Sequence, residues 1–424
     1  MLKPKTLARY DQPVPRYTSY PTAPHFTEAV DAATHTRWLA EIPSGDSLSL
    51  YVHIPFCDTM CWFCGCHTRI VNRYEPIAAY LDHVTAEVER VAGPLGKRHR
   101  ASHVHWGGGT PTSLAPADIL RLSDALRTHF DFDEESEFAV ESDPRGVGEE
   151  TIAALGQAGV TRVSLGVQDF SPRVQQAVNR IQPFDETKRV IDSLRSVGIA
   201  EINIDLMYGL PHQGTDELLA TAEKVLELEP ARLALFGYAH VPWMKVHQRM
   251  IDEDALPGTE ARWQQAGAAR AFLEEHGFTT IGLDHFARDD DPMAAALKAG
   301  VLHRNFQGYT TDRANTLIGF GASSISSLPA GYVQNFPQLN LYRRTLDEGR
   351  LPTARGVELT PDDRLRRGVI ERLMCDFEID LGQICGEHGE PADALAEARP
   401  RLEELAADGL IELDGDRITV TPDG

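Results

Sequence analysis

Between residues 47 and 239 short apolar stretches alternate with longer amphipathic ones, and this alternation constrains the fold more than any other feature of the chain. Strand signals fall at 47–53, 102–106, 137–141, 161–167, 201–207 and 232–239. Helical periodicity fills the gaps, at 75–93, 116–129, 149–158, 184–197 and 215–228. In the first of these helices Ile77, Leu81, Val84, Val88 and Val91 recur at helical spacing. Strands separated by helices pair in parallel through right-handed crossovers. Six such units predict an α/β fold, a partial parallel (β/α)6-type barrel with its chemistry at the C-terminal strand ends.

The flanks read differently. The start, MLKPKTLARYDQPVPRYTSYPTAPHF, is rich in proline and aromatics and predicts an extended arm over 1–45. It lacks the apolar core of a secretory signal. The barrel with added strands is expected to occupy 46–345, including a helix near 259–276 and a glycine- and serine-rich layer from HRNFQGYTT to GFGASSISS. Residues 346–424 predict a small helical, winged-helix-like domain. Thr360 is placed to cap a helix that begins with Pro361, and the tail reads as a helix, a glycine stop and a hairpin turning at Asp414-Gly415.

Charge narrows the function. Residues 360–424 hold 7 Arg/Lys against 17 Asp/Glu, which argues against a DNA-reading wing. The whole chain carries −22, and nucleic-acid binding needs basic surface to displace counterions. No run approaches the roughly 18 apolar residues of a membrane span. Six cysteines, with four close together, do not look like a disulfide framework, so a reducing cytoplasm is the expected location. A monomer is the expected state.

Those four cysteines directly follow the first strand, in YVHIPFCDTMCWFCGC. Cys57, Cys61 and Cys64 are spaced C-x3-C-x2-C, and Cys66 stands two residues on. Three thiolates from one loop can ligate three irons of a 4Fe–4S cubane and leave the fourth open to chelate a small molecule. A structural cluster would be closed by four. Zinc is the competing reading, but zinc motifs usually pair separated knuckles, and Cys375 and Cys385 lie far off. Tyr51, Phe56, Trp62 and Phe63 are available as a dry wall. HWGGGTPT ends the second strand, where Gly107, Gly108 and Gly109 allow backbone to approach a ligand. Glu141, at the third strand's end, is placed either to meet a ligand or to be a solvated loop carboxylate.

The cysteine loop resembles that of radical S-adenosylmethionine (SAM) enzymes. RYTSYPT, HIPFCxxxCxFCGC, GGGTPT, ESDPR, LGVQDF, NRIQ, IDLMYGLP, YAHVP, HRNFQGYTT and GASSIS occur in order between about residues 10 and 340. Together they resemble the oxygen-independent coproporphyrinogen III oxidase family. Haem-chaperone-like relatives share the core but generally lack the CxC end of the loop and the YTSYPT arm. The resemblance implies a 4Fe–4S cluster and two SAM molecules. Tyr51, Cys57, Cys61, Cys64, Gly108, Glu141 and Ile325 would serve the cluster and the first molecule. Phe63, Gly109, Thr110, Gln168, Arg180, Asp205 and Ala239 would surround the second. For Gln168, Arg180 and Asp205 the alternative is an ordinary buried polar network.

Cys66 is the catalytic candidate, facing substrate or tuning the cluster. The implied substrate carries four propionates, for which Arg16, His303 and Arg304 are available cations and Gln307 and Tyr309 further contacts. The implied reaction converts two propionates of coproporphyrinogen III to vinyls, with an electron donor for the cluster and a separate electron acceptor as partners. A haem-binding chaperone and a radical enzyme that modifies haem are the alternatives. The family pattern continues past the last hairpin into a basic, apolar helix, whereas this sequence stops at TPDG.

Overall fold

The computed structural model describes residues 4–12, 14 and 17–424. Its frame is six strands: β1 (Leu48–Ile54), β2 (Ala101–Gly108), β3 (Glu137–Ser142), β4 (Arg162–Gln168), β5 (Glu201–Tyr208) and β6 (Arg232–Gly237). They lie side by side in chain order and pair in parallel. Helices α1 (Glu75–Leu95), α2 (Pro116–His129), α3 (Glu149–Ala158), α4 (Phe184–Ser196) and α5 (Thr215–Leu226) connect them. The expected elements are therefore present, with ends displaced by at most about two residues.

Both edges of this half-barrel are extended. After α6 (Thr259–Glu275), β7 (Phe278–Ile281) and β8 (His285–Arg288) form a hairpin that adds to β6 antiparallel. On the other side β9 (Thr316–Phe320) joins β1 in parallel, and β10 (Ile325–Ser327), β11 (Gly331–Asn335) and β12 (Thr353–Glu358) follow antiparallel. The result is one twelve-stranded sheet. A separate hairpin, His303–Asn305 with Gly308–Thr310, stands apart from it.

Strand alternation sorts the two faces. Leu48, Leu50, Val52 and Ile54 of β1 join Val84 and Val88 of α1 in the main apolar core. Ser49, Tyr51 and His53 take the opposite, concave face. On β2, Val104 and Trp106 enter the core while His103 and His105 face inward. The concave face is accordingly polar. Near the strand starts, Arg162 donates to Asn203 Oδ1 at 2.9 Å and pairs with Glu137, and Arg232 pairs with Asp291 at 2.9 Å. All four of these charged groups are shielded by their partners, as buried ions must be.

The N-terminal arm is not wholly extended: Pro4–Tyr10 and Ala32–Ala40 are helices. Lys5, Leu7, Ala8 and Arg9 are good helix formers, and proline at the first helical position sacrifices no hydrogen bond. Arg9 and Tyr10 then bind Asp408 of the C-terminal region at 2.5 and 2.7 Å. Asp31 caps the second helix by accepting from Thr34 N at 2.8 Å. Arg16 lies outside the described residues.

At the C-terminus, α7 (Pro361–Asp376) starts with the expected Thr360 cap, reciprocated by Asp363. Helices Leu381–Glu387 and Arg399–Ala407 and a three-stranded sheet complete a unit with its own small core around Leu365, Ile384 and Ile418. The expected division at 345/346 falls inside helix Leu339–Asp347, and the large sheet runs on to Glu358. Among the described residues no helix is long and apolar enough to cross a membrane.

Candidate active site

At the C-terminal strand ends the cysteine loop folds over the barrel. Its backbone is held mostly by residues distant in sequence. Asn179 Nδ2 donates to Met60 O at 2.8 Å, and Trp62 N to Val178 O at 2.9 Å. His247 Nε2 meets Cys64 O at 2.7 Å, Lys245 Nζ meets Cys66 O at 2.9 Å, and Gln248 Nε2 meets Phe63 O at 3.0 Å. Trp62 and Phe63 pack against Val174, Val178, Leu210 and Tyr238.

Cys57, Cys61, Cys64 and Cys66 open onto one cleft, together with Gly108–Thr110, Glu141, Asp143, Gln168, Arg180 and Asp205. Among the described residues no three His, Cys, Asp or Glu gather closely enough to ligate one ion. Cys64 is held down to about 6, first by a hydrogen bond from Cys66 and, against the cost of burial, by His247 and Lys245. Burial pushes the Cys57 thiol up to about 11, with Thr110 Oγ1 3.5 Å from its sulfur.

The glycine turn is a cradle that a side chain would fill. Gly108 has φ +108°, and a Cβ there would meet the His53 ring at 2.4 Å. A Cβ on Gly109 would meet Phe56 O at 2.6 Å, because the amides of Gly109 and Thr110 donate to Ile54 O and Phe56 O, each at 2.8 Å. This locks the turn to β1. Glu141 fastens the same turn by accepting from Gly108 N at 3.1 Å and pairing with His105 Nε2 at 3.0 Å. Burial raises the Glu141 carboxyl, but His105 and the Gly108 amide outweigh it and leave it below its ordinary value. His53, buried against the turn, is pushed down to about 4. Its Nδ1 meets Tyr51 Oη at 3.0 Å, and Tyr51 stacks on His105.

Asp143 and two arginines surround Cys61. Arg145 Nη2 and Arg180 Nη1 each lie 3.3 Å from its sulfur, and both guanidiniums also bind Asp143. Arg180 further donates to Gly166 O and to Gln182 Oε1. Its N–H groups are thus engaged, and a ligand carboxylate would have to displace one of these partners. Asp205 accepts from Ser164 at 3.3 Å. Burial, then the charge of Glu141, pushes its carboxyl up to about 6. Gln168 sits at φ 71°, at a register shift between β4 and β5.

Other expected site residues lie elsewhere. Tyr51, Ala239 and Ile325 do not line the cysteine cleft. Ala239 is exposed and its carbonyl is 3.3 Å from Gln248 Nε2, while Ile325 packs beside Phe306 and Tyr332. His303 and Arg304 line a second cleft with Tyr17–Tyr20 and α7. Tyr309 is buried, its hydroxyl accepting from Leu283 N at 3.1 Å and donating to Met374 O at 2.9 Å, which makes it a packing residue. Gln307 N donates to Asn305 Oδ1 at 2.9 Å within the hairpin. Sequence reading passed over Asp143 and Arg145, although ESDPR contains both, and His53 and His105, although they open the quoted HIPFC and HWGGGTPT segments. Nothing local marks His247 and Gln248, which reach the loop from over 180 positions away.

Comparison with known proteins agrees with this geometry. The Radical SAM superfamily model matches residues 51–225, and the HemN C-terminal domain model matches 359–424. An oxygen-independent coproporphyrinogen III oxidase of Bradyrhizobium diazoefficiens is 52% identical over 97% of this chain and 92% of its own length. One from Paracoccus denitrificans is 45% identical over 99% and 92%. The solved coproporphyrinogen III oxidase (HemN) of Escherichia coli, described as a radical SAM enzyme, superposes with a TM-score of 0.93. It shows 40% identity over 98% of this chain and 94% of its own.

Proposed function

The chain belongs to the oxygen-independent coproporphyrinogen III oxidases, a radical SAM family, and from that premise we propose how its own residues carry the reaction. The enzyme oxidatively decarboxylates two propionates of coproporphyrinogen III to vinyls, giving protoporphyrinogen IX, and it uses a 4Fe–4S cluster and SAM. When bound, the cluster and SAM supply a 5′-deoxyadenosyl radical that takes a hydrogen atom from the substrate propionate.

The observation that carries the assignment is the meeting of three thiols, the left-handed Gly108 turn and Glu141 in one cleft. Cys57, Cys61 and Cys64 hold the cluster. Gly108 and Glu141 would hold the first SAM, with Glu141 ionised to accept from its ribose, and Gly109 and Thr110 would serve the second. Gln168, Ser164 and Asp205 face a second SAM across the cleft, and Phe63 dries the wall between them. Arg145 and Arg180 donate toward Cys61, which stabilises its thiolate and biases the cluster's potential. Cys66 is left to tune the cluster or meet substrate. The chain acts as a monomer, with a one-electron donor and a separate acceptor as partners. A reducing, cytoplasmic setting is supported by the need to keep three ligand thiols reduced. The arm (1–45), the barrel and a C-terminal domain form three parts, the last best begun at Leu359, where the large sheet has ended.

Anaerobic incubation of cluster-loaded protein with coproporphyrinogen III, SAM and a reductant, read by mass spectrometry, tests this reading. We expect a three-propionate intermediate, then protoporphyrinogen IX, with about one CO2 and one deoxyadenosine per vinyl. Tight haem binding with no vinyl product under any reductant would sink it in favour of a chaperone.

A further inference from the structure

The second cleft lies at the opposite end of the barrel, where β1 and β9 begin. Its wall includes Ser49 and Leu317, the paired second residues of those strands. Three arginines and a histidine line it: Arg304, Arg313, Arg367 and His303. Its two carboxylates are already committed. Asp312 pairs with His103 at 3.1 Å and accepts from Ser102 and Ala314 N, each at 3.0 Å. Glu371 binds His303 at 2.9 Å. Arg304 donates to Tyr17 O at 2.8 Å and lies over the Tyr309 ring. Arg313 and Arg367 make no hydrogen bond or ion pair among the described residues. In a chain of net −22, two uncommitted arginines on one cleft form a local sink for anions.

The other walls favour a large, flat, apolar body over a small ion. Phe306 and Tyr332 meet edge to face at 5.7 Å on the cleft wall. The cleft wall shares strand β1 with the cysteine end, although the two clefts have no lining residue in common. On the concave face of β1, Ser49 is followed by Tyr51 and then His53, whose ring touches the Gly108 turn. Four residues of strand cover roughly 13 Å, a distance one tetrapyrrole can span.

Resting on the reading above, the geometry points to Arg313 and Arg367 as the carboxylate clamp for the propionates that the enzyme does not convert. The clamp holds the far edge of the macrocycle at the strand starts, so that the reacting edge lies toward the cysteine cleft. Each guanidinium presents a planar fork suited to a carboxylate. Because the clamp touches neither cofactor, it acts on substrate affinity and on register alone.

The test uses coproporphyrin III, the oxidised fluorescent relative of the substrate, titrated anaerobically into cluster-loaded protein alongside its tetramethyl ester. We expect Arg313→Ala and Arg367→Ala each to weaken coproporphyrin III roughly tenfold, the scale of a lost charged hydrogen bond. The ester should bind wild type and variants alike, Arg367→Lys should recover part of the loss, and iron content and SAM binding should not change. Unaltered affinity in a folded double variant overturns the clamp, as does equal weakening of the ester. Should an alanine variant fail to fold, Arg313→Gln and Arg367→Gln take its place under the same criteria. The two readings fail separately. Vinyl formation at wild-type KM by the variants removes the clamp and leaves the reaction standing. Arginine-dependent binding without any vinyl product in the wild type removes the reaction and leaves the clamp.

Discussion

At the cysteine end of the barrel, Arg180 spends its N–H groups on Cys61, Asp143, Gly166 and Gln182. At the other end, Arg313 and Arg367 find no partner among the described residues. The same side chain therefore does different work at the two ends. Around Cys61 the guanidiniums are part of the wall: Arg180 is buried, its charge is balanced by Asp143, and its orientation is set before any ligand arrives. In the lower cleft the charge is left open, and an exposed or half-buried arginine can afford to wait in water. Presence of a cation in a motif thus says little about its role, and its existing partners say much.

The largest expected effect tests the upper end. Cys61→Ala should remove most of the roughly four irons that a reconstituted chain holds, while Cys66→Ala should keep them, measured by iron analysis and visible absorbance. Full iron in Cys61→Ala would mean that the ligand set is wrong.

A second pair of variants compares the two ends directly. Asp143→Asn leaves Arg145 and Arg180 short of their counter-charge in a shielded site and should cost about 3 kcal/mol of unfolding free energy. Glu371→Gln loosens a more exposed pair with His303 and should cost less than about 1 kcal/mol. Denaturant unfolding of the two proteins measures the gap, and equal losses would contradict the contrast drawn here.

A third test concerns Asp205, whose carboxyl is pushed from 3.8 in the unfolded chain up to about 6 in the fold. A raised acid destabilises the fold once it ionises. The penalty is complete above pH 6 and disappears as pH falls from 6 to 3.8. Cofactor-free Asp205→Asn should therefore be more stable than wild type at pH 8, by roughly 2 kcal/mol. The two should converge near pH 4. A pH-independent difference in melting would show that the shift has another origin. The same change should weaken SAM, so stability and binding move in opposite directions.

Much of the frame was legible in the sequence. Apolar alternation placed β1–β6 and α1–α5 within about two residues of their ends, because strand and helix periodicity are local signals that packing on a parallel sheet reinforces. The Thr360-Pro361 helix start and the Asp414-Gly415 turn are likewise short-range chemistry. The N-terminal helix Pro4–Tyr10 was missed because prolines on either side suggested extension, while its helical residues dock through Arg9 and Tyr10 onto a partner almost 400 positions away.

What the sequence determined by itself is the inventory of the cofactor end: a strand, a loop with Cys57, Cys61 and Cys64, a glycine turn and Glu141, all within one stretch whose spacing is set by covalent chain length. Only the tertiary structure decided who touches whom. Curvature of the half-barrel brings Asn179, His247 and Gln248 onto the cysteine loop and turns Arg180 toward Cys61. It also gathers Tyr17, the 303–313 segment and α7 into one cleft, where Arg313 and Arg367 remain uncommitted. Such contacts join residues far apart in the chain, and no local pattern encodes them. They follow from the curvature and register of a twelve-stranded sheet and from the burial of its apolar face, which together place distant segments at the same end of the barrel.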